Sequence, residues 1–312
     1  ISDAPSVRPW VLPSQGSDHS RTPRRRRGFG PAPRRLARPR RRRHGPRRSG
    51  AGGREGVKTV RLVGLGPGGA EHMTLAAVEA LRAADVVFLL EKGAAKQGLA
   101  ALRRAALDRA RPDGGYRVAV AESPERRVGP ATKDGYAEGI EDWRRRRRAA
   151  VADLLDRELG DGETGAFLVW GDPCLYDGMI ADLEDLDAEG AGIAFDVVPG
   201  VSSVQALTAA HRVALNRIGE SIAIVTARQL AAMAPGAVTN HVVMLDGRAA
   251  FRGLVGEPLD IWWGAYLGTP DERLVAGPLE TAADRIAAEI ERGRAAHGWI
   301  MDVYLLRRRQ AG

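Results

Sequence analysis

From Val57 onward, short apolar runs alternate with stretches whose apolar residues recur every three or four positions, the rhythm of buried strands followed by amphipathic helices. It predicts strands at 60–63, 86–90, 116–120, 166–169 and 195–198, with helices at 75–83, 99–109, about 137–159 and 179–189 between them. After a break near 212–220 the rhythm restarts, with strands at 222–225, 242–245 and 261–263 and a helix at 281–295. The run at 299–306 alternates as an edge or antiparallel strand would. Strands alternating with helices produce parallel sheets covered on both faces, so the expected class is α/β. The restart suggests two α/β domains with mostly parallel sheets, 57–212 and 213–312, preceded by a tail at 1–56.

Three of the predicted strands stop abruptly. Val60-Arg61-Leu62-Val63 runs into Gly64-Leu65-Gly66-Pro67-Gly68-Gly69, Ala166-Phe167-Leu168-Val169 into Trp170-Gly171-Asp172-Pro173-Cys174-Leu175-Tyr176-Asp177, and Phe195-Asp196-Val197-Val198 into Pro199-Gly200-Val201-Ser202-Ser203. Proline lacks an N–H and aspartate favours turns, so the ladder cannot continue through these loops. Open α/β sheets bind their ligands at such carboxyl ends.

Charge changes the picture only once it is divided. Residues 1–56 hold 16 arginines, no lysine and 3 acids, whereas the rest holds 31 basic and 36 acidic residues, so the formal +8 belongs to the tail and the body is mildly acidic. A segment this rich in Arg and Pro cannot bury enough surface to offset chain entropy, and disorder is expected there. It reads as a passive tail, or as the result of a start placed upstream of one near Val57, more readily than as an arm for nucleic acid. No nucleic-acid partner is expected for the folded body. No apolar run is long enough to cross a bilayer, and the arginines are not followed by the apolar core of a secretory signal. A lone cysteine, Cys174, precludes an intramolecular disulfide, and a cytoplasmic location is expected. Cys174 itself reads as a small packed side chain.

Gly64-x-Gly66-x-x-Gly69 satisfies the dinucleotide fingerprint, and Glu91 stands at the end of the second strand, where a ribose-binding acid would be expected. A nicotinamide-dependent oxidoreductase is therefore one alternative. Against it, Pro67 removes a donor inside the turn, and the best N-cap, Thr74, comes five residues after Gly69. A helix that begins so late cannot present its N-terminus to a pyrophosphate.

Taken together, the three loops resemble those of the tetrapyrrole methylase superfamily, S-adenosylmethionine-dependent enzymes with two α/β domains and a cleft between them. Further segments are similar to the deacetylating precorrin-6A synthases of aerobic cobalamin biosynthesis. These are Glu91-Lys92-Gly93 followed by Leu99-x-x-Leu102-Arg103, the run from His211 to Glu220, Trp263-Gly264-Ala265-Tyr266-Leu267-Gly268-Thr269-Pro270-Asp271-Glu272, and His297-Gly298-Trp299-Ile300-Met301-Asp302. The resemblance implies methylation of precorrin-5 at C-1 with loss of acetate, giving precorrin-6A; another precorrin or uroporphyrinogen methylase is the alternative within the superfamily. It places S-adenosylmethionine contacts at Pro67, Trp170, Gly171, Asp172, Leu175, Ser202, Ser203, Leu245 (with Met244 as the neighbouring choice) and Gly268. It also suggests a homodimer.

Methyl transfer from a sulfonium to an electron-rich carbon is a single displacement, so alignment is the main requirement, and neither a metal nor a covalent nucleophile is called for. The histidines show none of the close spacings of a zinc site. Acetyl loss needs water to attack a ketone, which a general base would assist; the candidates are Asp177, His211 and Tyr176. Each has a plainer role open to it, Asp177 as a helix cap, His211 as a hydrogen-bonder at a helix end and Tyr176 as packing over the loop. Arg212 and Arg217 are the preferred partners for the carboxylates of a tetrapyrrole substrate. The run Arg144–Arg148 reads as a solvated helix face, and Trp262, Trp263 and Trp299 as core or as pocket lining.

Overall fold

The computed structural model describes residues 57–91, 97–125 and 133–310; the expectations for the tail and for Lys92 and Gly93 lie outside these residues. Two five-stranded sheets draw on separate stretches of chain. The first has the order β3-β2-β4-β1-β5. Its strands are β1 (Lys58–Gly64), β2 (Val86–Glu91), β3 (Arg117–Glu122), β4 (Thr164–Val169) and β5 (Ile193–Val198), and every pairing is parallel. The central strands β1, β2 and β4 are buried on both faces, which is why they read as unbroken apolar runs.

Helices cover both faces of this sheet. On one, α1 (Leu75–Arg82) and α2 (Gln97–Ala110) bury Leu81 and Leu107 against Val63, Val87 and Leu168. On the other, α3 (Lys133–Glu158) and α4 (Met179–Ala188) bury Leu154, Leu155 and Leu183 against Val60, Leu62 and Phe88. Phe88 and Phe167 sit 4.7 Å apart between ring centroids at the centre of that layer.

The second sheet, ordered β6-β7-β10-β8-β9, departs from the expectation of mostly parallel strands. Its strands are β6 (Ala223–Thr226), β7 (Asn240–Met244), β8 (Leu259–Ala265), β9 (Arg273–Pro278) and β10 (Asp302–Arg308). Only β6 and β7 are parallel; β10 pairs antiparallel with both β7 and β8, and β8 with β9. The last strand is thus antiparallel, one of its two expected readings, and central rather than an edge, with Val303 to Leu306 buried on both faces. The edges are β6 and β9, and the sequence reading missed β9: it is half exposed and ends in Gly277 and Pro278, so it carries little apolar signal. On one face α6 (Ala227–Ala231) and the long α7 (Leu279–His297) close a core around Trp263, Phe251 and Tyr304. On the other lies α5 (Ser203–His211), which follows directly from β5 but buries Val204 and Leu207 against Val242, Val303 and Leu305. This crossing of α5 from the end of the first sheet to the face of the second brings the two sets of strand ends together.

Candidate functional site

The carboxyl ends of β1, β4 and β5 are fastened to one another through their backbones. Leu65 N donates to Val169 O at 2.9 Å, and Gly66 and Gly171 exchange N–H···O bonds of 3.3 and 2.8 Å. A Cβ on Gly200 would lie 2.1 Å from Gly171 O, and one on Gly64 2.6 Å from Gly200 N, so the three loops touch where a side chain has no room. Asp172 completes the fastening, accepting from Cys174 N at 2.8 Å through Oδ1 and from Gly200 N at 2.9 Å through Oδ2.

The fingerprint glycines do not make a phosphate cradle. Gly66 N is committed to Gly171, a short 3-10 turn at Ala70–His72 intervenes, and α1 starts only at Leu75 with Thr74 Oγ1 accepting from Ala77 N at 3.0 Å.

Above these loops lies a cleft of about 550 Å³ whose far wall comes from the second sheet. Met244, Leu245, Asp246 and Gly247 reach it from the end of β7, Tyr266 and Leu267 from the turn after β8, and Ile300 to Val303 from the entry to β10. Three of its residues, Tyr176, Leu245 and Tyr266, hold a left-handed backbone at φ 56°, 59° and 52°. Non-glycine residues rarely adopt this conformation, and where they do they gather at binding sites. Among the described residues lining the cleft, Asp172, Asp177, Asp246 and Asp302 are acidic, and none is Lys, Arg or His.

Pro67, Trp170, Gly171, Asp172, Leu175, Ser202, Ser203 and Leu245, all singled out from the sequence, line this cleft, as does the alternative Met244. Ser202 is the N-cap of α5, its Oγ accepting from Val204 N at 3.1 Å. Gly268 stands beside the cleft rather than in its wall: at φ 72°, with its would-be Cβ 2.4 Å from the His72 ring, it seats the turn after β8 on the first loop.

The proposed acid–base groups divide. Asp177 and Tyr176 line the cleft; Asp177, one residue before the Gly178 N-cap of α4, accepts from Met179 N at 2.8 Å through Oδ1, and the Tyr176 hydroxyl donates to Ile224 O at 3.1 Å. Burial holds the Tyr176 phenol above its ordinary value. His211 is not among the lining residues, and its Nε2 lies 2.9 Å from Trp263 O. Arg212 is exposed at the left-handed C-cap of α5, and Arg217 pairs with Glu220 at 3.3 Å; neither lines the cleft.

Two readings are corrected. Cys174 is exposed rather than packed, because Asp172 turns the loop outward there. The run Arg144–Arg148 is not wholly a solvated face, for Arg147 is buried and bonds Asp182 Oδ2 through Nε at 2.5 Å. Five consecutive helical residues sweep through more than a full turn, so one of them has to face inward.

The sequence reading missed Asp302. It enters the cleft at the start of β10, and its Oδ2 accepts from Trp263 Nε1 at 2.9 Å. Burial pushes its carboxyl up to about 7; the Trp263 bond opposes this and nearby Asp246 adds to it. Asp246 is itself held by Arg248 N at 2.9 Å, Ala250 N at 2.7 Å and the Tyr304 hydroxyl at 2.7 Å. Asp302 ends the family-like segment His297–Asp302, but nothing local in that segment marks it as an ionisable group of the cleft, because its partner lies in β8 and only strand pairing brings the two together. The tryptophans serve other ends: Trp263 is core, Trp262 stacks under Arg307 at 5.2 Å, and Trp299 packs on Tyr266 at 5.0 Å.

Known proteins share this architecture. A curated precorrin-6A synthase [deacetylating] from Sinorhizobium sp. is 42% identical over 254 residues, covering 81% of this chain and 96% of the relative. The solved structure of a cobalamin synthesis related protein, CobF, from Corynebacterium diphtheriae is 34% identical, covers 80% of this chain and 98% of its own, and superposes with a TM-score of 0.69. A uroporphyrin-III C-methyltransferase from Thermus thermophilus, solved in complex with S-adenosyl homocysteine, shares the fold at 22% identity and a TM-score of 0.50, covering 80% of this chain and 97% of its own. The family model of the Tetrapyrrole (Corrin/Porphyrin) Methylases matches residues 59–283, and with the parallel sheet, the three fastened loops and the cleft above them, it follows that this chain belongs to that family of methyltransferases.

Proposed function

We propose that the protein is an S-adenosylmethionine-dependent C-methyltransferase that converts precorrin-5 to precorrin-6A, methylating C-1 and releasing acetate. The observation that carries the cofactor reading is the charge of the cleft: four aspartates and no cation among the described residues lining it. That wall suits a sulfonium and disfavours the pyrophosphate of a nicotinamide dinucleotide. The fastened loops fit as well, offering close-packed backbone beside the Trp170 ring. Pro67, Trp170, Gly171, Leu175, Ser202, Ser203 and Leu245 would hold the cofactor, which when bound supplies an electrophilic methyl group. Asp172 would keep the second and third loops at fixed separation, and Gly268 would act through the first.

For acetate release, Asp302 is the side chain best suited to take a proton. Its carboxyl, pushed up to about 7, is basic enough to accept the proton of a water that attacks the acetyl carbon, and it faces the cleft. The C–C bond then breaks, leaving its electron pair on the ring carbon that is to be methylated, and acetate departs. Asp177 and Tyr176 would border the same space. Arg212 and Arg217 would meet substrate carboxylates only outside the cleft lining.

Calorimetric titration with S-adenosylhomocysteine tests the cofactor reading, and incubation with labelled cofactor and precorrin-5 tests the reaction. The expected product is heavier by one methyl and lighter by one acetyl group. A methylated product that keeps its acetyl group would point instead to another precorrin methylase. A cytoplasmic homodimer accompanies this reading; the support is the resemblance and the single cysteine, and sedimentation would check the assembly. Among the described residues no helix is long and apolar enough to cross a membrane.

A further inference from the structure

A second cavity, of about 150 Å³, adjoins the cleft and shares Trp170 and Asp177 with it. Its apolar lining includes Phe88, Leu90, Phe167 and Met179; its cations are Arg103 and Arg147. Five buried side-chain polar atoms among the described residues lack a hydrogen-bond partner, and three of them belong to residues of this one wall: Arg103 Nε, Arg147 Nη2 and Trp170 Nε1. All three are donors. Buried donors are nearly always satisfied, so three left open around a single cavity call for an acceptor that the described residues do not supply.

Among the described residues, the surrounding acids are already engaged or stand apart. Asp182 bonds Arg147 through Nε, leaving Nη2 open, and Asp177 Oδ1 accepts from Met179 N. Glu91 and Asp177 act on Arg103 through charge alone, and burial outweighs both, holding the guanidinium below its ordinary value. Stacking fixes the two cations in place. The Arg103 guanidinium carbon lies 5.5 Å from the Trp170 ring centroid, and that of Arg147 lies 4.5 Å from the Trp143 ring. Gly178 leaves space for the second, since a Cβ there would come within 2.4 Å of Arg147 Nη2. The contrast with the neighbouring cleft is one of balance: four aspartates and no cation line the larger space, whereas two arginines and the shared Asp177 line the smaller.

We propose that this cavity is a carboxylate subsite, taking a short carboxylate on the Arg103, Arg147 and Trp170 donors. Two sources share this chemistry, the acetate released by the reaction and a carboxyl arm of the macrocycle. The assignment rests on the methylase reading of the adjoining cleft, whose wall it shares. Guanidinium donors suit a carboxylate because their planar fork matches its two oxygens.

The full-length protein would be titrated with ¹³C-acetate by NMR line broadening, with acetamide and chloride as controls and S-adenosylhomocysteine binding measured in parallel. The expected result is saturable acetate binding that neither control reproduces. Arg103→Met should weaken it at least tenfold, roughly the loss of one charge-assisted hydrogen bond, while S-adenosylhomocysteine affinity stays within about twofold. Arg103→Lys keeps the charge without the fork and should fall between the two, which guards against a misfolded Met variant. If free acetate does not bind but Arg103→Met raises KM for precorrin-5 about tenfold with kcat little changed, the occupant is the macrocycle arm. Unchanged acetate behaviour together with unchanged KM would overturn the subsite. Failure to bind S-adenosylhomocysteine alongside Arg103-dependent acetate binding would instead remove the methylase reading and leave the subsite standing.

Discussion

The two sheets meet the cleft by different means. The parallel sheet reaches it with a backbone platform that carries Trp170, Leu175 and Tyr176: three strand ends, glycines packed without room for a Cβ, and one aspartate fastening two of the loops. The mostly antiparallel sheet reaches it with side chains: Met244 and Leu245 as apolar wall, Tyr266 at a left-handed turn, and Asp302 as the group with the most displaced proton affinity in the cleft. This follows from topology. In a parallel sheet every strand ends on the same side, so several loops can be drawn into one platform. In an antiparallel sheet neighbouring strands start and stop at that side alternately, which places the end of β7 and the entry to β10 opposite the platform. On the proposed function, the first sheet would supply most of the cofactor platform, and the second would add Leu245 to that wall and Asp302 as the proton acceptor.

The sharpest way to break that division is Asp302→Asn. The amide oxygen can still accept from Trp263 Nε1, so the fold and S-adenosylhomocysteine binding should survive. Acetate release should drop by roughly 10²–10³-fold, the usual reach of a lost general base. In the wild type acetate release should rise with pH through about 7, where Asp302 loses its proton, and the variant should lack that limb. Stability moves the other way. Between the ordinary carboxylate range and about 7 the folded protein keeps a proton that the unfolded chain has already released. The contribution of Asp302 is therefore greatest in acid and is lost as pH rises through about 7. Urea midpoints of Asp302→Asn should gain on the wild type across that window. A wild-type pH profile in the variant would show that the second sheet contributes only shape.

Next in size is Gly200→Ala, which attacks the platform. With a Cβ 2.1 Å from Gly171 O the loops have to separate, at a cost of about 3 kcal/mol in unfolding free energy. S-adenosylhomocysteine affinity should fall with it, and acetate release should follow binding rather than lead it. Asp172→Ala removes the acceptor for Cys174 N and Gly200 N, a smaller loss of about 2 kcal/mol. Both variants are read by urea denaturation beside calorimetry. If either abolished acetate release while leaving cofactor affinity intact, the separation between holding and reacting would be wrong.

Much of the platform was legible in the sequence because its signals are local. An apolar run followed by Gly-Leu-Gly-Pro or Gly-Asp-Pro announces a buried strand and a loop together, and Thr74 marks the late start of α1 without reference to anything distant. What escaped depended on pairing across the chain. Asp302 acquires its character from burial between strands, with its bond to Trp263, 39 residues away, opposing the shift; Arg147 is told apart from its four arginine neighbours by its burial against Asp182; and α5 shows no sign in its own sequence that it packs on the second sheet. The edge strand β9 escaped for the opposite reason, since half-exposed residues and a glycine-proline end leave little periodicity to read. The expectation of mostly parallel strands in the second sheet failed on this ground: the antiparallel option for the last strand held, but apolar runs do not show that this strand enters the middle of its sheet or that β8 and β9 run antiparallel.

The smallest expected effect is the most direct test of where the chemistry lies. His211 sits at the end of α5, the helix that joins the two regions, and a histidine there is an obvious candidate for proton transfer. Its Nε2, however, is 2.9 Å from Trp263 O, the carbonyl of the residue whose indole holds Asp302. In that position it anchors α5 to β8 and stands outside the cleft wall. His211→Gln should therefore cost about 1 kcal/mol of stability, the net worth of one hydrogen bond, and change acetate release by no more than about twofold. A loss approaching that of Asp302→Asn, with binding preserved, would move the acid–base step from the second sheet to the helix between them.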